Sequence, residues 1–298
     1  PADPGMVWFS STRPDESYYT MSVQSEVRLD QVPPSDRSWG GHGKIGATAA
    51  VAWRQRDVTW ESIAWRQPNR HGQKERQVCE QTLTLVDAMP STFLSRDPRK
   101  GKGLVAPRGP CPVLFGLRAR DEHSSREGAQ LLLASESTES SIGFRTFVTN
   151  QASDDHLGEN LEATVTEVEV LSRGNCVLTT THGTWLAFAE SGSIKKLAQW
   201  LLPGDVVEGN GLSPELGVLH LEKLRILAAV PRLERPLCEQ CSVRMKSMGK
   251  NQGCRCPKCK HRTEDAWVSI PRLPPYDSWV QPPADARRHL ARPLEWIE

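Results

Sequence analysis

The sequence predicts an α+β protein of several small domains, with a ferredoxin-like βαββαβ domain followed by an OB-fold barrel and a zinc ribbon. Three observations lead to this prediction. Strand and helix patterns alternate over residues 56–158, short alternating strands dominate residues 160–230, and two CxxC pairs lie within residues 236–264. A chain of 298 residues has room for about two domains, or for more if they are small.

The first segment, residues 1–55, lacks the pattern of a complete domain. Residues 6–10 predict a short strand, and residues 18–27 fit either a strand or a helix. Glycine-rich residues 40–43 lead into a helix predicted over residues 44–53. Glycines before a helix can cradle a phosphate on free backbone N–H groups. A plain turn followed by a helix explains the same residues.

The second segment follows the order strand, helix, strand, strand, helix, strand. We expect strands over residues 58–65, 103–106, 112–118 and 142–149, and helices over residues 77–89 and 124–137. Pro90 ends the first of these helices, because proline cannot continue a helical hydrogen-bond ladder. The order matches the split βαβ arrangement of the ferredoxin-like fold.

The third segment changes to a β pattern. We expect strands over residues 163–171, 175–181, 184–189 and 219–227, a further strand from residue 206, and a helix over residues 195–202. Five short strands with one helix before the fourth predict an OB-fold, a barrel that commonly binds nucleic acid. An ordinary five-stranded barrel with another role is the alternative.

Two cysteine pairs predict a metal site. Cys238 and Cys241 form one CxxC pair, Cys256 and Cys259 form the second, and fourteen residues separate the pairs. Zinc prefers four tetrahedral thiolates, and about 15–20 residues between pairs is the usual spacing. Cys254 is predicted to be a packing residue, since zinc takes four ligands. Two disulfides or four unused thiols are the alternative.

The charge of the chain is unevenly distributed. The formal net charge is +1, yet residues 232–262 carry nine basic and two acidic side chains. Such an excess is expected of a surface that meets phosphate, although a solvated basic surface without a partner is the alternative. Residues 265–298 form a proline-rich, then basic, tail that is too polar for a core of its own. We expect this tail to pack against the other domains.

Several classes of protein are disfavoured. No apolar run approaches the roughly 20 residues that span a bilayer, and no signal peptide is visible. Three further cysteines, Cys79, Cys111 and Cys176, are scattered along the chain. A disulfide framework is therefore not expected, and we expect a reducing, cytoplasmic compartment. The chain begins at Pro1 without an initiator Met, and we expect its true N-terminus to be missing. No complete catalytic motif is visible.

The densest polar cluster, residues 149–156, lies where the ferredoxin-like domain meets the barrel. Polar groups at strand ends and domain junctions often converge on a ligand. Asp154 and His156 are candidates for acid–base chemistry, and the amides of Asn150 and Gln151 are candidates for binding a base edge or a guanidinium. A capped loop between domains is the alternative.

A second polar group lies on and after the first ferredoxin-like strand. It comprises Glu61, Arg66 and Arg76. Arginine is well suited to binding phosphate, so we predict substrate contacts for the two arginines. A surface salt bridge with Glu61 is the alternative.

Six parts of the chain carry a resemblance to one known family. They are residues 41–47, 57–66, 112–118, 149–157, 245–250 with 253–259, and 286–294. Together and in this order they closely resemble the archaeal tRNA(Ile) agmatidine synthetase, also called tRNA 2-agmatinylcytidine synthetase. The resemblance runs from about residue 1 to the end. The asparagine-glutamine stretch and the arginine-histidine tail are the parts of the resemblance that are specific to this family.

The resemblance implies an N-terminal kinase-like domain followed by the three domains predicted above. It also implies an ATP-dependent ligase that replaces the C2 oxygen of the wobble cytidine in an isoleucine tRNA by agmatine. The CAU anticodon of that tRNA then decodes AUA. The expected partners are this tRNA, agmatine and ATP, with no membrane. The expected cofactors are a structural Zn²⁺ ion and, in the complete enzyme, ATP and Mg²⁺.

We expect two sets of side chains to contact these molecules. Contacts with tRNA are expected at Lys246, Lys250, Lys258, Arg287 and Arg288. Contacts with substrate are expected at Arg66, Arg76, Asn150, Gln151, Asp154 and His156.

One departure from the family pattern concerns ATP. The family's Ile-Asp-Asp-Thr-Asp segment, which holds ATP and magnesium, is absent, and residues 1–55 resemble only the end of that domain. We therefore expect a fragment, or the second half of a split gene with a separate N-terminal half, that binds tRNA but does not turn over alone. Two alternatives are a non-catalytic OB-fold and zinc-ribbon protein that binds nucleic acid, and a structural zinc protein of transcription or replication.

Overall fold

A computed structural model describes residues 3–296 of the chain. The predicted terminal segments, residues 1–55 and 265–298, extend beyond these limits, so their first two and last two residues lie outside the described part. Among the described residues, no helix is long and apolar enough to cross a membrane.

The N-terminal segment folds into a two-stranded antiparallel sheet and two helices. Its elements are β1 (Gly5–Trp8), α1 (Glu16–Gln24), β2 (Arg37–Gly40) and α2 (Gly43–Ala52). Residues 18–27, which fit a strand or a helix, therefore belong mainly to α1. Asp15 caps this helix by accepting the Ser17 N–H at 2.8 Å. Tyr18 and Tyr19 pack against Ala49 and Ala52 in the core of the segment.

The second segment is an antiparallel sheet in the order β6-β3-β7. Its elements are β3 (Thr59–Arg66), α3 (Glu80–Asp87), β4 (Arg96–Asp97), β5 (Lys102–Gly103), β6 (Val113–Ala119), α4 (Glu122–Ala134) and β7 (Ser141–Thr149). Helix α4 packs on one face of the sheet, where Ser125 Oγ donates to Ser62 Oγ at 2.9 Å. Apart from the two-residue strands β4 and β5, the strands and helices follow the predicted order.

The strand predicted over residues 103–106 is wrong. Only β5 is a strand there, and it pairs with β4 in a separate hairpin. Beyond β5 the chain touches β6 through the Gly116 N–H, which donates to the Val105 carbonyl at 2.9 Å. Three prolines follow within residues 107–112, and proline offers no N–H to a strand ladder. The fourth position of the sheet is therefore occupied by an irregular segment.

The third segment is a closed five-stranded barrel. Its elements are β8 (Leu161–Val170), β9 (Cys176–Thr180), β10 (Gly183–Ala187), α5 (Ser193–Trp200), β11 (Val206–Leu212) and β12 (Val218–Ala228). The strands follow the order β8-β9-β10-β12-β11 and close onto β8, with β10 and β12 parallel. The single helix precedes the fourth strand, so the OB-fold prediction is confirmed.

The core of the barrel surrounds Trp185, which is fully buried. Gly209 lies opposite this side chain, and a Cβ at that position would lie 2.6 Å from the indole ring. The glycine therefore makes room for the largest side chain of the core. Leu178, Leu197 and Leu224 pack around it.

The last part of the chain forms two small sheets. Its strands are β13 (Arg232–Glu234), β14 (Lys246–Ser247), β15 (Cys254–Arg255), β16 (Arg262–Thr263) and β17 (Val268–Ile270). Strands β14, β15 and β16 form an antiparallel ribbon around the cysteine pairs, and β13 pairs with β17 beside it. This arrangement confirms the predicted zinc ribbon.

The tail packs against the other segments, as predicted. Val280 bridges to Leu224 of the barrel through two backbone hydrogen bonds of 2.8 and 3.1 Å. Arg272 binds both oxygens of the fully buried Asp205, at 2.9 and 3.0 Å, and lies 3.9 Å above the ring of Trp200. These contacts fix the start of the tail on the barrel.

Candidate functional sites

A cavity of about 950 Å³ lies on the ferredoxin-like sheet. We call it the sheet cavity. Side chains alternate along a strand, so Glu61 and Ile63 of β3 point away from α4, which covers the face of Ser62. The cavity lies between these side chains, the loop around residues 97–108 and the tail around residues 284–289. It has the size of a small-molecule site.

Glu61 is the carboxylate that β3 contributes to the sheet cavity, and its position depends on two neighbours. A Cβ at Gly116 would lie 2.4 Å from Glu61 Oε1, so only glycine leaves room for the carboxylate in this place. Gln151 Nε2 donates to Glu61 Oε2 at 2.6 Å. The predicted residue Gln151 therefore reaches the cavity through Glu61.

Arg118 lies beside Glu61 on the neighbouring strand. Its Nε is 3.4 Å from Glu61 Oε1 but forms no hydrogen bond with the described residues, and the same is true of the buried Gln151 Oε1. Burial lowers the pKa of Arg118, although the Glu61 carboxylate opposes this shift. A buried donor and a buried acceptor without partners are groups that a polar ligand would satisfy. Sequence reasoning missed Arg118, although a charged residue directly after the apolar run of residues 113–117 was the available signal.

Arg76 lines the sheet cavity, but its N–H groups are occupied. Each of them donates to a main-chain carbonyl at 2.7–3.0 Å, the acceptors being Lys74, Pro107, Gly109, Cys111 and Val113. Arg76 therefore anchors the loop over residues 107–113 and contributes its charge to the cavity. The predicted substrate contact of Arg76 remains a prediction, and it would depend on the charge of the guanidinium because all of its N–H groups already have acceptors.

Arg66 lies outside the cavity and is fully buried. Its Nε and Nη2 bind Glu139 at 2.5 and 3.0 Å, and its Nη groups also donate to the carbonyls of Gln73 and Glu75 at 2.7 Å. The predicted substrate contact is wrong for Arg66, because a phosphate cannot reach it. The alternative of a surface pair with Glu61 is also wrong, since its partner is Glu139.

The loop over residues 149–156 separates side chains that the sequence groups together. Asn150 Nδ2 donates to the hydroxyl of Tyr19 in α1 at 2.8 Å. Asp154 forms an ion pair with Lys223 of the barrel and accepts the backbone N–H of Arg292 at 2.7 Å. The loop therefore joins the N-terminal segment, the barrel and the tail.

His156 lies in the same loop and contacts the barrel. Only 3% of the residue is exposed, and its Nε2 lies 2.8 Å from Glu222 Oε2 in the barrel. The alternative interpretation, a capped loop between domains, describes Asn150, Asp154 and His156 well. Direct substrate contacts by these three residues remain predictions.

The four predicted zinc ligands lie together. The Sγ atoms of Cys238, Cys241, Cys256 and Cys259 are all within 4.8 Å of one another, which fits one tetrahedral ion with Zn–S distances of about 2.3 Å. The backbone N–H groups of Cys259 and Lys258 donate to Cys256 Sγ and lower the pKa of Cys256 to about 6. This favours the thiolate form that zinc binds.

Two equivalent turns position these cysteines. Ser242 and Lys260 each lie four residues after the first cysteine of their pair, and both have left-handed backbones, with φ of 52° and 67°. Cys254 is fully buried outside the four-cysteine cluster, with its Sγ 3.6 Å from the Ala266 carbonyl. Its prediction as a packing residue is confirmed.

The ribbon presents a basic surface. Lys246, Lys250 and Lys258 are exposed and form no ion pair among residues 3–296. Glu234, one of the two acids of the region, is already paired with Arg232 and Arg244. A groove of about 540 Å³ lies beside Lys246. Sequence reasoning counted its other cations, Arg255 and Lys260, without singling them out as contacts.

The glycine-rich turn before α2 is not a phosphate cradle. The backbone N–H groups of Gly41, His42 and Gly43 donate to Pro4 and Asp3 at 3.2, 2.7 and 3.0 Å. The plain turn followed by a helix is therefore correct, because these three N–H groups are already occupied.

Comparisons with known proteins match two parts of the chain to family models. The model described as the TiaS FLD domain matches residues 41–156, and the model described as the TiaS C-terminal zinc ribbon domain matches residues 235–272. Together the two models cover more than half of the chain.

Curated relatives match over most of the chain. It is 33% identical to the tRNA 2-agmatinylcytidine synthetase TiaS of Archaeoglobus fulgidus over 88% of the chain and 66% of the relative. It is 32% identical to the TiaS of Cenarchaeum symbiosum over 85% of the chain and 61% of the relative. The chain thus spans less than two thirds of the length of these relatives.

Solved structures match the fold over nearly the whole chain. A complex of TiaS with an isoleucine tRNA and ATP superposes with a TM-score of 0.77 at 27% identity, covering 95% of this chain and 73% of that one. Apo TiaS, described as an agmatidine synthetase acting on an isoleucine tRNA, superposes with a TM-score of 0.75 at 27% identity, covering 94% and 73%.

Proposed function

The chain belongs to the TiaS family, and from this premise we propose that it is the substrate-binding portion of an ATP-dependent tRNA-modifying ligase. The reaction joins agmatine to C2 of the wobble cytidine of an isoleucine tRNA whose CAU anticodon then decodes AUA. The observation that carries this proposal is the match over 95% of the chain to a TiaS structure solved with an isoleucine tRNA and ATP. ATP and Mg²⁺ would act in the complete enzyme.

The sheet cavity supports a polar, cationic ligand. Glu61 is held in place by Gln151 and Gly116, and a carboxylate is the natural partner of a guanidinium or an amine. Agmatine carries both groups. We therefore propose that a cationic end of agmatine binds the Glu61 carboxylate in this cavity, whose lining also holds the acidic Glu80, Asp97 and Asp285 and a larger number of basic side chains, Arg118 and Arg287 among them.

The basic surface of the ribbon supports contacts with tRNA phosphate. Lys246, Lys250 and Lys258 are exposed and have no acidic partner in the described part of the chain. Arg288 of the tail is a further cation with 51% of its side chain exposed, and it lies beside Glu222 of the barrel. Zinc holds the ribbon in shape, so these contacts depend on the metal.

Binding to two tRNAs with the same anticodon tests the proposal. We expect the chain to bind an isoleucine tRNA transcript with a CAU anticodon more tightly than an elongator methionine tRNA, and to lose this preference when zinc is chelated. Fluorescence anisotropy across a salt series measures both affinities. Equal, steeply salt-dependent binding to the two tRNAs would show only non-specific contact between a basic surface and phosphate.

A lysine variant tests the assigned surface. Lys250→Gln is expected to lower affinity for both tRNAs and to reduce the slope of log K against log salt by about 1. Lys196→Gln, which removes another exposed lysine from α5, serves as the matched control and is expected to leave the slope unchanged. An equal effect of the two variants would contradict the assignment to the ribbon.

The chain alone is expected to bind tRNA without modifying it. The aspartate-rich segment that holds ATP and magnesium in the family is absent from its 298 residues. Incubation with ATP, Mg²⁺, agmatine and isoleucine tRNA, followed by nucleoside mass spectrometry, should yield no agmatinylated cytidine. Formation of that nucleoside would show that these residues carry a complete catalytic site. The five-stranded barrel and the zinc ribbon support a non-catalytic nucleic-acid-binding protein as the second candidate.

A further inference from the structure

A second, smaller cavity lies between the barrel and the tail. Its volume is about 210 Å³, and we call it the Phe188 cavity. It is smaller than the clefts of about 300–1,000 Å³ that hold drug-sized ligands, so it suits a single flat ring system. Its lining includes Phe188, Glu190, His220, Glu222 and Arg288.

Two aromatic rings line this cavity. Phe188 follows β10 and His220 lies in β12, and their ring centroids are 5.0 Å apart at an interplanar angle of 84°. A flat ring stacked on one of them lies roughly perpendicular to the other, an arrangement that aromatic quadrupoles favour. Burial, and then the charge of Arg288, lower the pKa of His220. This shift favours the neutral imidazole, which offers an uncharged ring.

A guanidinium is held beside the aromatic pair. Arg288 Nε lies 2.6 Å from Glu222 Oε1, and Glu222 is only 6% exposed. The second carboxylate oxygen of Glu222 lies 2.8 Å from His156 Nε2, so the carboxylate has a cation on one side and an imidazole on the other. Glu222 Oε1 accepts no well-aligned hydrogen bond from the described residues, so the contact with Arg288 is an ion pair that leaves the donors of the guanidinium available. A guanidinium with available donors is suited to phosphate.

The rim adds a selective group. Glu190 lies in the turn after β10 and is exposed. A carboxylate accepts hydrogen bonds from the exocyclic amine of adenine or cytosine and repels the carbonyl oxygens of uracil. The third strand of an OB-fold, here β10, belongs to the face on which such barrels commonly bind oligonucleotides.

We propose that the Phe188 cavity binds one unpaired nucleotide of an RNA strand, with the base stacked on the ring of Phe188 beside His220 and the phosphate on Arg288. The inference rests on the proposed function in that the RNA is the tRNA substrate. It adds a base-stacking site on the barrel to the phosphate contacts of the zinc ribbon. Bases that carry an exocyclic amine, adenine and cytosine among them, are those that Glu190 favours.

Binding of short RNA to the full chain tests this site. The probes are fluorescent hexamers of adenylate and of uridylate, and a hexamer with the same phosphates but no bases. The chain should bind the adenylate hexamer more tightly than the uridylate hexamer, and the abasic hexamer most weakly. Phe188→Leu keeps an apolar side chain but removes the ring. We expect it to weaken adenylate binding by about 5- to 100-fold, the equivalent of one lost base–aromatic stack, and to leave abasic binding unchanged.

Two further variants keep the test decisive. Trp39→Leu removes a half-exposed aromatic ring from β2 and should not change adenylate binding. Arg288→Gln should weaken the adenylate and abasic hexamers alike, because it removes a phosphate contact. Circular dichroism and zinc content check that each variant is folded.

Several results would overturn the proposal. They are equal binding of the adenylate and abasic hexamers, adenylate binding by Phe188→Leu at the strength of the unchanged chain, and binding of adenosine monophosphate as tight as that of the hexamer. The hexamers lack the features by which a protein distinguishes one tRNA from another. A failure of the proposed function, seen as lost preference for the isoleucine tRNA, is therefore distinguishable from a failure of this site.

Discussion

At the scale of single residues, Glu61 shows how a neighbour without a side chain positions a functional group. Its carboxylate occupies the space that a Cβ at Gly116 would fill, and the Gln151 amide binds its other oxygen. The adjacent Arg118 has a buried Nε without a hydrogen bond in the described chain. A ligand that binds here would therefore meet side chains that are already held in place.

Adding a methyl group at Gly116 tests this geometry. Gly116→Ala would place a Cβ 2.4 Å from Glu61 Oε1, so the carboxylate must move. We expect a loss of about 1–3 kcal/mol in the free energy of unfolding, as for overpacked cores, measured by urea denaturation. Gly46→Ala, where no atom lies within 4 Å of the new Cβ, is the control. It should keep or raise stability, because alanine favours helix α2. A neutral Gly116→Ala would contradict the tight packing of Glu61.

Arg66 and Arg76 show the opposite outcome for a chemically suitable residue. Arginine is a common phosphate ligand, yet Arg66 is committed to Glu139 and Arg76 to main-chain carbonyls. Burial and the local carbonyls decided their roles. Neither feature can be read from the residue type.

At the scale of elements, the zinc ribbon depends on its metal. Its buried core consists of Cys238, Met245, Cys254 and Cys256, with Cys241 packed against them. So few apolar atoms do not stabilise a fold without a metal or disulfides. The two-residue strands β14, β15 and β16 add little of their own.

A pair of cysteine variants tests this dependence. Cys256→Ala should abolish bound zinc and remove hydrogen-exchange protection from residues 238–263, because it deletes a ligand. Cys254→Ala deletes a buried thiol of the same core but should retain one zinc ion, since Cys254 lies outside the four-cysteine cluster. Metal analysis and exchange mass spectrometry measure both effects. The barrel strands should keep their protection in each case; loss there would mean that ribbon and barrel fold as one unit.

At the scale of the whole molecule, the loop over residues 149–156 joins three segments of the chain. Asp154 contacts Lys223 of the barrel and Arg292 of the tail, and Asn150 contacts Tyr19 of α1. Asp154 also has a left-handed backbone, with φ of 65°, a conformation that aspartate and asparagine tolerate better than most residues. The joint thus depends on both its charge and its backbone.

Removing only the charge of Asp154 tests the joint. Asp154→Asn keeps the backbone and an acceptor for Arg292, but leaves the nearly buried Lys223 without its carboxylate. We expect a loss of about 1–3 kcal/mol in the free energy of unfolding, the usual cost of an unsatisfied buried polar group. Glu159→Gln, at an exposed position a little further along the same linker, is the control for losing a carboxylate. Equal stability of the two variants would show that the ion pair does not hold the joint.

The sequence by itself determined the order and type of the folding units. Helical and strand periodicities, the breaker Pro90 and the two CxxC pairs depend only on local spacing. They predicted the barrel with its helix before the fourth strand, and the four zinc ligands. The one wrong strand, at residues 103–106, lies just before a proline-rich run. The apolar pattern there resembles a strand, but the prolines lack the backbone N–H groups that a strand needs for pairing.

Only the tertiary structure decided which polar side chains are available to a ligand. Asn150, Gln151, Asp154 and His156 are close in sequence, but the folded loop turns Gln151 toward the sheet cavity through Glu61 and the other three toward neighbouring segments. The Phe188 cavity likewise combines residues from β12, the turn after β10 and the tail. Exposure and pairing depend on contacts between residues far apart in the chain, so a local pattern identifies candidates but cannot assign their partners.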